Sequence, residues 1–560
     1  MCQGTECNGE PSSLQIHNRD GSEFRPFSNP GDWLCRTTDR AARNRASRVL
    51  SPLSHLWACL RYAARLASVL DEGDLGMTQH FRVAVLGAGM SGICMGVQLK
   101  KAGVNDFVIL EKADSVGGTW RENTYPGVAC DVPSHLYSFS FDLNPNWSHS
   151  YSSGGEIWGY CEEVSQKHDL KPHLRFGSAV ENVKFADGCW TVDVAGGPTL
   201  TADIVVSGLG GLHLPNHADI EGLNTFEGAK FHTAQWDHEH DLKGRRVGII
   251  GTGASAVQVL PAIADNVKQV TVFQRSAAWV FPRVASDIPD SRRSLFNSFP
   301  PLMRLYRWFL FALMDLLGVL SLRRNSFLSG RLKKVGLDHL EESVSDPELR
   351  EKLTPDYTPG CKRRCIADDY WSTFNRDNVH LVTEAIDHVE PGGIRDASGT
   401  LHELDTIIEA TGFCPFDITD YVNIEGRDGR TLRDVWKDKI ETFRTIMVPG
   451  FPNFFLLLGP NSATGHTSAL IMIESQVQYI LKCLKLMERE NMSHLDPAPD
   501  FVAKYNARLQ RDMKGMVFSG GCNAWYTDAH DRNFTLWPYS AYRFLAELMS
   551  VKKTEFLQNR

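Results

Sequence analysis

The chain has 560 residues, 42% of them hydrophobic and 22% charged, and a formal net charge of -8. The length calls for two or three domains, and the composition is that of a folded globular protein. The acidic balance excludes a general nucleic-acid binder, which needs a basic face, and thirteen scattered cysteines read as mostly reduced intracellular thiols rather than a secreted disulfide framework.

Residues 1–76 stand apart. Gly, Pro, Ser and Asn are frequent early. A basic run of Arg36, Arg40, Arg43, Arg45, Arg48, Arg61 and Arg65 follows, opposed only by Asp39. Such an extension is expected to be disordered or dispensable. A transit peptide or surface anchor is the alternative, with residues 53–70 as an amphipathic helix and Met77 as a candidate functional start. Without a targeting role for this segment, the protein is expected in the cytoplasm.

From 81 onward the pattern is α/β. Residues 81–86 predict a buried strand, a glycine turn follows, a helix runs to about 102, and 107–110 predict a second strand. This alternation implies a parallel sheet. It restarts with a strand at 246–250, a helix from about 254 and a strand at 270–273. Residues 285–355 read as a helical insert. Strand-like segments return after 378, including 406–410 and 454–458, and a helical tail begins near 468. No stretch reaches the roughly 20 apolar residues of a spanning helix. The nearest, 302–320, holds Arg304, Arg307 and Asp315. It reads as an amphipathic helix packed on the body, or as a membrane-surface or hydrophobic-substrate entrance helix.

The first glycine turn, Gly87-Ala88-Gly89-Met90-Ser91-Gly92, joins a strand to a helix. The first glycine makes the turn and the second lets a pyrophosphate approach the backbone. The third lets helix and strand pack closely, with the helix N-terminus facing the phosphates. Glu111 ends the next strand about 20 residues on, where an acid binds ribose hydroxyls. Gly117, Gly118, Thr119 and Trp120 follow and are read as further backbone contact with the same dinucleotide. Gly251-Thr252-Gly253-Ala254-Ser255-Ala256 repeats the device with alanine at the third position. Here the next strand runs into Arg275 instead of an acid. A guanidinium binds a 2′-phosphate that a carboxylate would repel, so this site is expected to take NADPH. Two dinucleotides in one chain imply hydride transfer between them, with flavin and nicotinamide the usual pair.

A disulfide reductase needs a cysteine pair beside the flavin. Cys361 and Cys365 lie far beyond the first turn, and no C-x-x-C stands next to it. That leaves a flavin oxygenase or an NADPH oxidase. Residues 226–237, with Phe226, Gly228, His232, Trp236 and Asp237, resemble the F-x-G-x-x-x-H-x-x-x-W-[PD] signature of the Baeyer–Villiger monooxygenases, a family of class B flavin-dependent monooxygenases. The resemblance covers about 80–545. Residues 125–131 look like the family loop carrying an aspartate, here Asp131, beside the flavin, and Tyr137 matches a flavin contact. Residues 360–363, with Tyr370 and 375–379, look like the segment bearing the catalytic arginine. On that match Arg363 is catalytic and Lys362 meets the NADPH 2′-phosphate. Residues 410–413 resemble the Ala-Thr-Gly motif that closes the FAD domain, 459–461 match a further family segment, and Trp525 aligns with a tryptophan contacting NADP.

The resemblance implies an α/β fold of two Rossmann-like domains, for FAD and NADP, with a helical insert. The FAD domain would take 77–220 and 390–550 with the C-terminal helices. The NADP domain would take 221–389, with the insert at about 285–355. It implies an NADPH- and FAD-dependent monooxygenase that converts a ketone and O2 into an ester or lactone through a C4a-peroxyflavin. Arg363 would stabilise negative charge and Asp131 would hold it. His232 and Trp236 would help the domains move. The departures lie in 462–468, which is closer to subgroups acting on aryl or long-chain ketones, in Arg364 where many members have proline, and in an unusually hydrophobic insert. All three concern the substrate. The competing readings are a flavin-containing monooxygenase oxidising nitrogen or sulfur, and a flavin-binding scaffold without turnover.

Overall fold

The computed structural model describes residues 78–557, apart from 415–417, 520–526, 529 and 531. The expectations for 1–76 and for Trp525 lie outside the described residues.

Two parallel-cored sheets carry the two glycine turns. In the first, Gln79–Leu86 lies between Leu200–Ser207 and Phe107–Leu110, all parallel. Phe107–Leu110 is buried at every residue, which explains its uninterrupted apolar run: a parallel strand covered on both faces needs no alternation. Val180–Ala186 and Cys189–Val194 extend this sheet antiparallel beyond Leu200–Ser207. The Met90–Lys101 helix is buried along most of its length. Its Ile93 and Val97 share a core with Leu470, Ile473 and Val477 of the Ala469–Glu490 helix.

The second sheet has five parallel strands in the order Val379–Val382, Gln269–Phe273, Arg246–Ile250, Thr406–Glu409, Ala229–His232. This order corrects the expected boundary at 390. Thr406–Glu409 sits between two strands of the second sheet. The chain rejoins the first sheet only at Asn423–Glu425 and Phe454–Leu456. The intervening antiparallel strands Ile386–Glu390, Gly393–Asp396 and Leu401–Glu403 form a small separate sheet. A short apolar strand such as Thr-Ile-Ile-Glu fits a central slot of either sheet by its sequence, so its place is a tertiary matter.

The insert is helical, as expected: Asp290–Ser298, Pro300–Ser321, Phe327–Ser343 and Pro347–Leu353. Among the described residues no helix is long and apolar enough to cross a membrane.

Candidate active site

The first turn is built for a close-approaching ligand. Gly87 has φ +91°, and a Cβ on Gly92 would lie 1.9 Å from the Gly87 carbonyl oxygen. A Cβ on Gly118 (φ +53°) would lie 2.9 Å from the Gly89 Cα, so the Gly117-Gly118 loop packs directly on the turn. The Met90–Lys101 helix starts without a side-chain cap and without an acid in its first turn. Ser153, Ser326 and Ser468 cap other helices with their side chains. An uncapped helix start leaves N–H groups and a positive dipole end for an anion. These residues therefore fit a pyrophosphate.

Glu111 is buried at the end of its strand. Its carboxylate accepts the N–H of Ala88 at 2.8 Å and of Ala113 at 3.1 Å, and faces Arg121 at 3.3 Å. Each oxygen retains lone-pair capacity for a ribose hydroxyl. Thr119 and Trp120 open the short helix after Gly118. The Trp120 Nε1–H donates to the Tyr137 hydroxyl at 3.1 Å, with the rings edge to face. Burial pushes the Tyr137 phenol well above its usual range.

Asp131 and Arg363 meet across 232 residues, the guanidinium donating to Oδ2 at 2.5 Å. Burial drives the Asp131 carboxyl upward, but the Arg363 guanidinium outweighs it and holds the group below the ordinary carboxylate range. Arg363 keeps 43% of its side chain accessible, which leaves it reachable by a ligand. The backbone on either side is pinned. Gly360 takes φ +95° against Val517. Cys365–Ile366 pairs as a parallel strand with Val280–Phe281. Cys365 is free and Cys361 is disulfide-bonded, so these two cysteines are not joined to each other. Burial raises the thiols of Cys161 and Cys365 to about 12. Thiols held protonated in this way are not redox-active thiolates.

The second turn repeats the first. Gly251 has φ +112°, and the Ala254–Ile263 helix starts uncapped and acid-free. A Cβ at Gly253 would meet nothing within 4 Å, and Ala256 is buried, so alanine at the third position is accommodated here. Ala254 and Ser255 begin that helix, and the Thr252 hydroxyl donates to the Ser276 carbonyl at 2.8 Å. Arg275 is exposed. The Lys362 ammonium donates to the Ser276 hydroxyl at 2.9 Å, and burial together with Arg275 pushes its pKa down. Two cations thus converge beside this turn, as a phosphate requires. Residues 410–413, expected to close the first domain, instead lie across the second turn, where a Gly251 Cβ would meet the Ala410 carbonyl at 2.6 Å.

The 226–237 motif is part of the second sheet rather than a free linker. Ala229–His232 forms its edge strand. A Cβ on Gly228 would meet the Asp405 carbonyl and the Phe226 ring, each at 2.5 Å or slightly more. Trp236 packs edge-on against Phe231, and Asp237 is exposed. The buried His232 accepts the Ala234 N–H on Nδ1 at 3.0 Å. Burial pushes its imidazole down to about 4. A depressed imidazole of this kind is neutral at pH 7.

One functional neighbour escaped the sequence reading. Gln258, on the helix after the second turn, accepts from the Tyr125 hydroxyl at 2.9 Å and donates to the Ala129 carbonyl at 3.0 Å. It docks the Asp131 loop onto the second glycine helix. Only the polarity of Gln258 within an otherwise apolar helix, Ala-Ser-Ala-Val-Gln-Val-Leu, signals this.

The chain is similar to known proteins over most of its length. Residues 84–289, which include both turns, match the family model for pyridine nucleotide-disulphide oxidoreductase. A Baeyer–Villiger monooxygenase of Streptomyces coelicolor is 42% identical over 482 residues, 85% of this chain and 92% of that protein. Among solved structures, OTEMO in complex with FAD and NADP superposes with a TM-score of 0.76 at 25% identity, covering 84% of this chain and 97% of that one. Cyclohexanone monooxygenase in its closed form gives 0.76 at 27% identity over the same shares.

Proposed function

The chain belongs to the Baeyer–Villiger monooxygenase family, and on that premise we propose that Arg363, held by Asp131, is the fixed cation of its oxygen-insertion chemistry. The reaction is the FAD- and NADPH-dependent insertion of one oxygen atom of O2 beside a ketone carbonyl, giving an ester or lactone. Bound FAD would supply the two-electron chemistry, with NADPH as the reductant, by which one oxygen atom of O2 enters the product and the other leaves as water.

The protein's own part is binding, orientation and charge. Gly87, Gly89 and Gly92 with the start of the Met90–Lys101 helix hold the FAD pyrophosphate. Glu111 takes the ribose, and Gly118, Thr119, Trp120 and Tyr137 wall the same cofactor. Residues 251–256 hold the NADPH pyrophosphate, with Arg275 and Lys362 on its 2′-phosphate. Arg363 stays charged at any working pH and offers a planar fork of donors to negative charge developing on the reacting oxygens. One preorganised donor of this kind contributes about 3 kcal/mol in the transition state. Asp131 fixes the fork's orientation. No side-chain nucleophile is needed.

The observation that carries this reading is the contact between Asp131 and Arg363, groups 232 residues apart in the chain. The test is Arg363→Ala. Flavin reduction by NADPH should remain measurable, while ester formation from a panel of aryl, cyclic, steroid and linear ketones should fall at least about a hundredfold. Ester formed at the wild-type rate would remove Arg363 from the mechanism. Products that are amine or sulfide oxides, with no ester from any ketone, would remove the oxygen-insertion reading.

A further inference from the structure

The Pro300–Ser321 helix buries one face and leaves the other bare. Met303, Phe311, Asp315 and Gly318 face inward. On the outer face Leu305, Trp308, Phe309, Leu316, Leu317 and Leu320 are all exposed, Leu305 at 59% and Leu316 at 61%. Phe327, at the start of the next helix, is 77% exposed. Single exposed leucines are ordinary, but an unbroken apolar stripe over about four turns of helix marks an interaction surface.

This helix is not loosely attached. The buried Asp315 carboxylate takes the His466 imidazole at 2.9 Å and the Ala541 N–H at 2.7 Å. Gly318 lies so close to His466 that a Cβ there would overlap its ring. The exposed stripe is therefore the outer side of a fixed element.

The charge around the stripe identifies what covers it. Residues 290–338 hold nine Lys and Arg against three acids, Asp290, the buried Asp315 and Asp338; Arg293 pairs with Asp290, Lys334 with Asp338 and Arg307 with Glu474, which leaves six cations outside these pairs in a chain whose net charge is -8. Arg304 is exposed on the helix itself, and Arg323, Arg324, Arg331 and Lys333 are exposed beside its C-terminal end. A second copy meeting this face by twofold symmetry would set like charges against each other. An apolar helical stripe bordered by cations matches an anionic bilayer, with the apolar side chains among the acyl chains and the cations among the headgroups.

We propose that the Pro300–Ser321 helix docks the enzyme onto the surface of an anionic lipid bilayer, lying in the plane of the interface without crossing it. The inference stands apart from the role given to Arg363. The full-length flavoprotein should co-sediment with vesicles of phosphatidylglycerol and phosphatidylcholine, and about tenfold more weakly with phosphatidylcholine alone. A Leu305→Ser, Trp308→Ser, Leu316→Ser triple variant should lose the association while keeping its flavin content and its rate of reduction by NADPH. Arg323→Ser with Lys333→Ser should lower the preference for anionic vesicles and leave the fold intact. Failure of the wild type to co-sediment would overturn the proposal. So would undiminished binding by the triple variant, which would move the contact elsewhere in the chain. A wild-type dimer in sedimentation velocity that the triple variant converts to monomer, without vesicle binding, would assign the face to a second copy and also overturn it.

Discussion

The two glycine turns use one device and differ in what surrounds it. Each joins a buried parallel strand to an uncapped helix free of acids in its first turn. At the first, the third glycine lies against the turn, with no room for a Cβ at Gly92; at the second, Ala256 occupies that position. The ends of the following strands differ more. Glu111 is woven into the fold by two backbone N–H groups and Arg121. Arg275 stands exposed with Lys362 nearby. The phosphate-binding device is thus generic. The difference between the two turns lies in the side chains that end the following strands, an acid tied back into the fold at the first and an exposed arginine with Lys362 nearby at the second.

The strongest way to break this comparison is Gly92→Ala. The new Cβ would lie 1.9 Å from a carbonyl oxygen, so the variant should purify without flavin absorbance or fail to fold. Full flavin occupancy would show that the first turn is as tolerant as the second.

A sharper contrast concerns the strand that the second sheet alone owns. Burial depresses the His232 imidazole to about 4 from its ordinary 6.5. A depressed group contributes stability above its unfolded pKa and loses it as pH falls through the folded one. The wild type should therefore lose up to about 3 kcal/mol of stability from this group as pH drops from about 6.5 to about 4. In His232→Gln, denaturant titrations across that window should show a flatter slope. His135, also pushed to about 4 by burial and by Arg292, should supply part of the slope that remains, with His213 and His494, both lowered by burial. An unchanged profile would mean that His232 titrates normally and has a role beyond packing.

Next in size is Arg275→Ala. Losing a charge-assisted contact to the 2′-phosphate should weaken NADPH about tenfold or more and leave NADH unchanged. Stopped-flow flavin reduction with each cofactor measures this, and equal weakening would erase the distinction drawn between the two strand ends. The smallest effect belongs to Ala256→Gly. It should cost about 1–2 kcal/mol in thermal stability, through helix propensity and the loss of a buried methyl, and retain NADPH binding.

Much of the molecule was legible in advance. The Phe107–Leu110 strand was read with its observed bounds because a strand buried on both faces is uniformly apolar. Both turns are legible in the glycine spacing, and residues 285–355 read as helical. The 226–237 motif was recognised, but its place as an edge strand of the second sheet was not. Thr406–Glu409 belongs to the second sheet and not to the domain expected to resume at 390 for the same reason: strand pairing is a long-range choice that a strand of four residues does not encode.

The two glycine turns at Gly87 and Gly251, and the acid and the arginine that end the strands after them, are legible in the sequence, because steric and charge demands act within about thirty residues of each turn. Only the tertiary structure decided the slot of each strand, the docking of the Asp131 loop by Gln258, the meeting of Asp131 with Arg363, and which face of the Pro300–Ser321 helix is left bare. Each of these depends on contacts between residues distant in the chain. Local propensity limits such contacts without choosing among them, and the packing of the whole makes the choice.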